Sequence, residues 1–207
     1  DDIARKDIRV GDMVVVKRAG DVIPQVERPV VELRTGKEQV ITVPKKCPVC
    51  SSNVVREESQ AYVYCPNPSC PAQIVQRVTH WAGVMDIVGM GEGISRLLVD
   101  KGLVHDVADL YYLRPEQVRE LPGFAEKSTN KLLNAIEQSK HRPLERVIAA
   151  LGIKNVGWVV AQVLAEQYAS MRDLMAATEE ELTEISGVGP VIASSLRAFF
   201  SNPQAKK

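Results

Sequence analysis

Residues 47–70 read "CPVCSSNVVREESQAYVYCPNPSC" and hold all four cysteines of the 207-residue chain. The prolines within the two pairs favour tight turns, and "AYVYC" (61–65) alternates as a strand does. Two close pairs joined by a short hairpin can bring four sulfurs to the corners of a tetrahedron, the geometry that zinc prefers. Four thiolates leave no open coordination position. The spacing therefore predicts a structural zinc site, with the ligands Cys47-x2-Cys50-x14-Cys65-x4-Cys70.

Other uses of the four cysteines fit the sequence less well. A redox pair would need only Cys47 and Cys50 and would leave the second pair without a role. A disulfide scaffold is typical of secreted proteins, whereas the chain starts with "DDIARKDIRVGD", which is too charged for a signal peptide. No run reaches the roughly 18 apolar residues that a membrane-spanning helix needs. We therefore expect a cytoplasmic protein with no membrane partner.

The charge of the chain does not decide whether its partner is a nucleic acid. The sequence contains 26 Lys and Arg and 26 Asp and Glu, so the net charge is zero. Residues 72–200 carry 13 basic and 16 acidic side chains, a net charge of −3. DNA binding by this part would have to come from local geometry, because it has no broad positive field.

After the cysteines the chain repeats itself four times, at starting points 34, 32 and 32 residues apart. Each stretch begins with Ile or Leu and ends with Leu eleven places later; the stretches are "IVGMGEGISRLL" (87–98), "LPGFAEKSTNKL" (121–132), "IKNVGWVVAQVL" (153–164) and "ISGVGPVIASSL" (185–196). The third position is occupied by Gly89, Gly123, Asn155 and Gly187, and the fifth by Gly91, Ala125, Gly157 and Gly189. The fourth position is always apolar and the ninth always small. Such a period is typical of supersecondary units that are too small to bury their own apolar face.

Each repeat predicts a helix, a tight hairpin and a second helix. Pro115, Pro143 and Thr178 mark the starts of upstream helices. Small residues let a backbone approach another group closely, and a helix N-terminus offers free N–H groups to a phosphate. The pattern resembles the helix-hairpin-helix DNA-binding motif, whose contacts with the DNA backbone carry no sequence information. A helical solenoid for protein contacts is the alternative, although the Trp- and Tyr-rich signature of such repeats is absent.

Residues 1–46 predict a small β-rich part. Three stretches read as strands, with turns between them; the strands are 12–19, 28–34 and 38–44, and the turns 20–27 and 35–37. So short a segment cannot close a barrel of about five strands. It is either a small sheet or the later part of a larger domain.

The order of these blocks resembles bacterial NAD-dependent DNA ligase over essentially the whole chain. The matching features are "RVGDMVVVKRAGDVIPQV", a four-cysteine finger that ends in "SCPAQ", "MDIVGMG" and four helix-hairpin-helix motifs. The resemblance implies a mostly α fold with a small β part at the N-terminus. It divides the chain into a partial OB-fold segment (1–46), a zinc finger (47–71), a helix-hairpin-helix domain (72–200) and a polar tail (201–207).

The resemblance also implies which residues contact DNA. Arg18, Val22 and Ile23 correspond to the surface where the family's OB domain meets DNA, and the two apolar residues face the minor groove. The hairpin residues are Gly89, Gly91, Gly123, Ala125, Gly157, Gly187 and Gly189. Hairpins with Ala125 or with Asn155 in place of Gly are expected to approach phosphate less closely.

Several parts of the resembled enzyme are not found in this sequence. No K-x-D-G motif, which carries the family's nucleotidyl-accepting lysine, occurs in the 207 residues. The family's NAD-recognising N-terminal domain, the early OB strands and the BRCT domain are also not found. We therefore expect a DNA-clamping portion, with no catalytic residue, of an enzyme that uses NAD and magnesium to seal nicks during replication and repair. This portion alone would be inactive.

The expected partners are nicked double-stranded DNA and the adenylation domains of the same polypeptide, in a monomeric protein of the bacterial cytoplasm and nucleoid. The alternative is a self-standing, non-enzymatic DNA-binding protein built from a zinc finger and hairpin repeats. The incomplete β segment favours the ligase interpretation.

Overall fold

The structure, a computed structural model, describes residues 1–20, 23–56 and 62–202. The chain divides into two units, Asp1–Asn67 and Pro68–Lys207. The first unit carries short strands and the second is helical, which confirms the predicted fold class of a mostly α protein with a small β part at the N-terminus. No helix in the described ranges has both the length and the apolar character needed to cross a membrane.

Two antiparallel strand pairs form the β structure of the first unit. After a short helix, the strands follow in the order α1 (Asp2–Arg5), β1 (Arg9–Val10), β2 (Val14–Ala19), β3 (Ile23–Pro29) and β4 (Gln39–Val40). Strand β2 pairs with β3, and β1 pairs with β4. The β2–β3 ladder places Val16 opposite Val26 and Arg18 opposite Pro24, with an irregularity between Val15 and Val16.

The predicted arrangement of these strands is only partly right. The first predicted strand (12–19) is confirmed as β2, but the predicted turn at 20–27 is wrong because Ile23–Pro29 forms β3. The predicted strand at 28–34 is wrong too, since Val31–Leu33 forms a 3₁₀ helix, and the third strand shrinks to Gln39–Val40. Prolines in "VIPQVERP" suggested a turn; β3 accommodates them because a two-stranded ladder leaves one edge of each strand without a ladder partner.

An arginine ties the loops of the first unit together. Nε and Nη2 of Arg34 donate to the two carboxylate oxygens of Asp12 over 2.7 and 2.8 Å, and Nη1 donates to Asp7 over 2.7 Å. The N–H of Arg9 donates to Asp12 over 2.7 Å. The side chain of Asp12 is 1% exposed. The hydrogen bonds from Arg34 and the Arg9 backbone outweigh desolvation and hold the pKa of Asp12 at about 2.

Nine α-helices form the described part of the second unit. They are α2 (Pro71–Val84), α3 (Glu92–Asp100), α4 (Pro115–Arg119), α5 (Glu126–Ser139), α6 (Leu144–Ala150), α7 (Trp158–Gln167), α8 (Met171–Ala176), α9 (Glu179–Thr183) and α10 (Pro190–Ser201). The predicted helix starts are confirmed. Pro115 is the first residue of α4, Pro143 precedes α6, and Thr178 caps α9 by accepting from the N–H of Glu181 over 3.2 Å.

Two hydrophobic cores fill the helical unit, and each holds two repeats. The first core includes Val78, Leu98 and Leu132, and the second includes Leu164 and Leu196. Helix α6 contributes to both cores, since Ala150 lies in the first and Ile148 in the second. Helix α6 also packs against α2. The four repeats are therefore arranged as two pairs joined through α6.

Candidate metal centre and nucleic-acid interface

The four cysteines come together at the predicted zinc site. Their sulfur atoms all lie within 4.8 Å of one another, and Sγ of Cys50 is 3.5 Å from Sγ of Cys65. Four sulfurs around a tetrahedral zinc with bonds of about 2.3 Å would lie about 3.8 Å apart. Cys47 and Cys70 are buried and the other two are half-buried. Both the donor set and its size therefore fit zinc.

Backbone hydrogen bonds shape the turn that carries the first cysteine pair. The N–H of Cys47 donates to the carbonyl of Ser52 over 2.8 Å, and the N–H of Ser51 donates to the carbonyl of Cys47 over 2.9 Å. Ser51 takes a left-handed φ of 60° to close the turn. The strand predicted at 61–65 is reduced among the described residues to one antiparallel bridge, in which Val55 and Tyr64 exchange hydrogen bonds of 2.9 and 3.0 Å. Residue 61 lies outside the described residues.

The surroundings of the thiols shift the pKa values of Cys50 and Cys65 in opposite directions. The hydroxyl of Ser52 lies 3.3 Å from Sγ of Cys50, and this hydroxyl and the Ser52 backbone lower the pKa of Cys50 to about 5. The N–H of Asn67 favours the thiolate of Cys65, but burial and the neighbouring thiols Cys50 and Cys47 outweigh it and raise the pKa of Cys65 to about 12. Zinc binds thiolates and not thiols, so hydrogen bonds that stabilise the thiolate of Cys50 favour metal binding.

The four predicted hairpins share one backbone geometry. We name them hairpin 1 (Ile87–Gly91), hairpin 2 (Leu121–Ala125), hairpin 3 (Ile153–Gly157) and hairpin 4 (Ile185–Gly189). In each hairpin the N–H of the fourth residue donates to the carbonyl of the first, over 3.2, 3.1, 3.0 and 2.9 Å. The third residue has a positive φ in all four, between 66° at Asn155 and 92° at Gly89. This is the pattern of a type II turn, which explains why the third position holds Gly or Asn.

The fifth residue of each hairpin is the N-cap of the helix that follows. Gly91, Ala125, Gly157 and Gly189 have extended backbones, and none of them has a side chain that caps its helix by a hydrogen bond. At α5 the hydroxyl of Ser128 accepts from the N–H of Ala125 over 2.8 Å. A side-chain carbon added at Gly91, Gly157 or Gly189 would meet no atom within 4 Å. These positions are exposed to solvent. Open space therefore lies in front of the N-termini of α3, α7 and α10.

The apolar fourth residue and the small ninth residue of each repeat pack into the hydrophobic cores. Met90, Val156 and Val188 are buried, and Phe124 is half-buried against the first core. The ninth residues are fully buried, which explains why they are small; they are Ser95, Thr129, Ala161 and Ala193. Each donates its N–H to the carbonyl of the N-cap residue, over 2.9 to 3.0 Å. The buried residues and this hydrogen bond thus fix the position of each hairpin relative to the helix that follows it.

The structure brings two residues of the predicted OB surface to one end of the β2–β3 ladder. Ile23 lies opposite Ala19, and Arg18 lies opposite Pro24. Both Arg18 and Ile23 are exposed, and the side chain of Ile23 is 68% accessible. The third predicted residue, Val22, lies outside the described residues.

One basic surface was not identified in the sequence. Beside Ala125, the exposed start of α5 presents two lysines, two amides and one carboxylate around a shallow groove; they are Lys127, Lys131, Asn130, Asn134 and Glu126. The signal was the i, i+4 spacing of each like pair, which places them on one face of a helix. The other repeats have no lysine at these positions, so the pair is not part of the repeat pattern.

Family models match three parts of the chain. Residues 1–38 match the NAD-dependent DNA ligase OB-fold domain, residues 46–72 match the NAD-dependent DNA ligase C4 zinc finger domain, and residues 146–207 match the helix-hairpin-helix motif. The zinc finger match supports a structural zinc in this chain, and the hairpin match supports DNA binding.

Proteins named DNA ligase are similar to the chain along its whole length. The relative from Rubrobacter xylanophilus is 48% identical over 100% of this chain and 30% of its own length. The relative from Chloroflexus aurantiacus is 49% identical over 98% of the chain and 29% of its own length. The relative from Aquifex aeolicus is 48% identical over 99% of the chain and 29% of its own length.

The chain therefore spans less than a third of the length of the curated relatives that it matches. The joint match to the ligase OB-fold and zinc finger models disfavours the alternative of a self-standing DNA-binding protein. The chain belongs to the NAD-dependent DNA ligase family and represents the portion with the OB-fold, zinc finger and helix-hairpin-helix regions.

Proposed function

We propose that the chain is the DNA-binding and clamping portion of a ligase that seals nicks between a 3′-hydroxyl and a 5′-phosphate in duplex DNA. The observation that carries the proposal is the shared geometry of the four hairpins. In hairpins 1, 3 and 4 a helix N-terminus without a capping side chain faces open space. In hairpin 2 the hydroxyl of Ser128 accepts from the N–H of Ala125. Four helix N-termini on one helical unit suit a ligand with a repeating anionic backbone.

Contact with phosphate follows from the chemistry of the hairpins. The first N–H groups of α3, α5, α7 and α10 have no carbonyl partner within their own helix and lie at the positive end of the helix dipole. A phosphate oxygen at the N-cap would accept from them. The proposed contact residues are Gly89, Gly91, Gly123, Ala125, Gly157, Gly187 and Gly189. Because no base edge is involved, binding would be independent of sequence.

The β2–β3 end would make a second contact with the duplex. Arg18 would meet phosphate, and Ile23 would lie against the minor groove together with Val22, which is outside the described residues. Exposure of the apolar Ile23 side chain beside a basic residue supports this assignment.

Cys47, Cys50, Cys65 and Cys70 would hold the zinc in a closed, structural site. The metal supplies four bonds to thiolates and no open position for a substrate. The proposed parts are 1–46 for the partial OB-fold, 47–71 for the finger, 72–200 for the hairpin domain and 201–207 for the tail; the residues after 202 lie outside the described residues.

NAD and magnesium would be used by other domains of the same polypeptide. Forming an enzyme-AMP intermediate requires a positioned and activated lysine, and the sequence has no K-x-D-G motif. We therefore propose that this chain by itself becomes neither adenylated nor able to ligate. The working protein would be a monomer in the bacterial cytoplasm that binds nicked double-stranded DNA during replication and repair.

The experiment compares DNA binding by the wild-type chain and by the double variant Gly91→Val/Gly189→Val. The backbone at both glycines is extended, so valine fits without strain. Its side chain would fill the space that phosphate needs and should weaken binding to all sequences alike. The control is Ala198→Val, because Ala198 is exposed near the C-terminal end of α10 and lies outside the proposed contact residues.

The wild-type chain should bind labelled nicked duplexes of unrelated sequence with equal affinity, and affinity should fall steeply with salt. The control should bind as the wild type does. Unchanged affinity of the folded double variant would contradict the proposal and favour a scaffold for protein contacts.

A further inference from the structure

Helix α2 ends in an unusual way immediately before hairpin 1. The N–H of Ile87 donates to the carbonyl of Ala82 over 2.8 Å, and the N–H of Asp86 donates to the carbonyl of Gly83 over 3.3 Å. These two bonds form a Schellman motif, whose left-handed position is normally a glycine. Asp86 holds that position with a φ of 52°. Its carboxylate lies at the negative end of the helix dipole, which opposes a negative charge.

Two arginines compensate for that carboxylate. Nη1 of Arg146 lies 2.7 Å from Asp86 and donates to the carbonyl of Val84 over 2.7 Å. Nη2 of Arg142 lies 3.3 Å from Asp86, and its Nε donates to the carbonyl of Met85 over 3.2 Å. The arginines thus bind both the aspartate and the last carbonyls of α2, as cations at a helix C-terminus do.

Arg146 also reaches the start of hairpin 3's helix. Its guanidinium lies 5.8 Å from the ring centroid of Trp158, within the range of a cation–π contact. Trp158 is the first residue of α7 and follows Gly157, the N-cap of hairpin 3. A single side chain therefore contacts the residue before hairpin 1 and the residue after hairpin 3.

The position of Arg146 in the fold lets this contact connect the two hydrophobic cores. Arg146 lies on α6, the helix that contributes to both hydrophobic cores. Hairpin 1 belongs to the first core and hairpin 3 to the second. His80 on α2 strengthens the same junction, since its Nε2 lies 3.1 Å from the carbonyl of Ala149 on α6.

We propose that Arg146, held by Asp86, is a positioning residue that fixes hairpin 1 relative to hairpin 3, so that both contact one DNA duplex. This inference rests on the proposed function. Two sites on one rigid body bind a long ligand more tightly than either does alone, because the second contact becomes intramolecular. Loss of the fixed spacing should reduce that advantage without removing either hairpin.

The variant Asp86→Asn tests the proposal, because the loss of negative charge and the loss of positioning should change DNA affinity in opposite directions. Asparagine tolerates a left-handed φ, so the turn is kept. Removing a negative charge near DNA would by itself tighten binding. Positioning predicts the reverse for a duplex long enough to reach two hairpins, namely a loss of at least about fivefold. Affinity for a duplex too short to reach both should be unchanged or slightly higher.

A matched control is available at the C-terminal end of α5. Glu137 lies 2.6 Å from Lys140, so this ion pair is local and joins no second hairpin. Glu137→Gln removes the same charge outside the proposed contact residues. It should leave the preference for the long duplex unchanged.

The variant Arg146→Lys provides a second test in case Asp86→Asn unfolds. Lysine keeps the charge but loses the planar fork and the stacking on Trp158, so the long duplex should again be bound more weakly. Circular dichroism and a thermal melt report whether each variant is folded. If the wild type binds DNA and both folded variants keep the wild-type preference for the long duplex, the positioning role is overturned and the proposed function stands. Failure of the wild type to bind any duplex would overturn both.

Discussion

Nδ2 of Asn155 in hairpin 3 donates to Oγ of Ser195 on α10 over 3.1 Å. Asn155 has a φ of 66°, in the place where Gly89, Gly123 and Gly187 take 92°, 82° and 87°. Asparagine is among the few residues that adopt this conformation routinely. It therefore performs the backbone role of the missing glycine and adds a hydrogen bond to the helix of the next repeat.

Substitutions at Asn155 should separate the two roles. Asn155→Ala should lower the free energy of unfolding by roughly 1–2 kcal/mol, because alanine is strained at positive φ. Asn155→Gly should keep the turn and lose only the exposed hydrogen bond. Chemical denaturation of both variants measures the difference. Ser195→Ala is the control for the bond alone, and an alanine variant at Asn155 no less stable than the glycine variant would contradict the assignment of the turn.

The stability of the first unit should depend on pH through Asp12. Arg34 holds the folded-state pKa of Asp12 at about 2, below the usual 3.8. The contribution of this carboxylate to stability is therefore fully present above about pH 4 and lost as the pH falls through 2. NMR of the Asp12 carboxyl carbon should give a midpoint near 2. In Arg34→Gln the midpoint should rise towards 3.8; a wild-type midpoint already near 3.8 would contradict the arrangement.

Removing the metal should expose all four cysteines to solvent chemistry. We expect elemental analysis to find one zinc per chain, bound by Cys47, Cys50, Cys65 and Cys70. A chelator should then make four thiols reactive towards a thiol reagent and speed hydrogen exchange at the Val55–Tyr64 bridge. Cysteine-to-serine replacement at either buried position, Cys47 or Cys70, should mimic the chelator. A metal content near zero in reduced, folded protein would contradict the site.

The lysines on α5 should contribute to the salt dependence of DNA binding. If Lys127 and Lys131 each neutralise one phosphate, replacing either with Gln should reduce the slope of log K against log salt by about 0.9. Lys101 is the control, because it follows the end of α3 that is far from hairpin 1. Lys101→Gln should leave the slope unchanged. Equal slopes for all three variants and the wild type would remove α5 from the interface.

The helical half could be predicted in some detail because its constraints are local and repeated. A positive φ at the third hairpin residue and a buried ninth residue restrict those positions to a few residue types, so the repeat can be recognised in the sequence. The zinc ligands can be recognised too, because metal binding restricts their four positions to cysteine. Contacts between distant segments leave no such signal: nothing near Asp86 in the sequence points to Arg146.

The β part was predicted less well because its pairing overrides local preference. Residues 20–27 contain Gly20 and Pro24, which are typical of turns, yet the ladder with β2 extends from Ile23 to Pro29. Residues 28–34 have the composition of a strand, but Arg34 is bound by Asp7 and Asp12 and the preceding residues form a 3₁₀ helix. Pairing with β2 explains the first segment, and the bonds of Arg34 accompany the 3₁₀ helix in the second; local propensity explains neither.

We propose above that the four helix N-termini behind the hairpins bind the phosphate backbone of DNA. Amide NMR of the chain, with and without a nicked duplex, measures this directly. We expect the N–H signals at the start of all four helices to shift together, whatever the DNA sequence, and sodium chloride to reverse the shifts. The residues to follow are Gly93, Lys127, Val159 and Val191. If other amides shift on addition of DNA while these four do not, binding through the helix N-termini is contradicted.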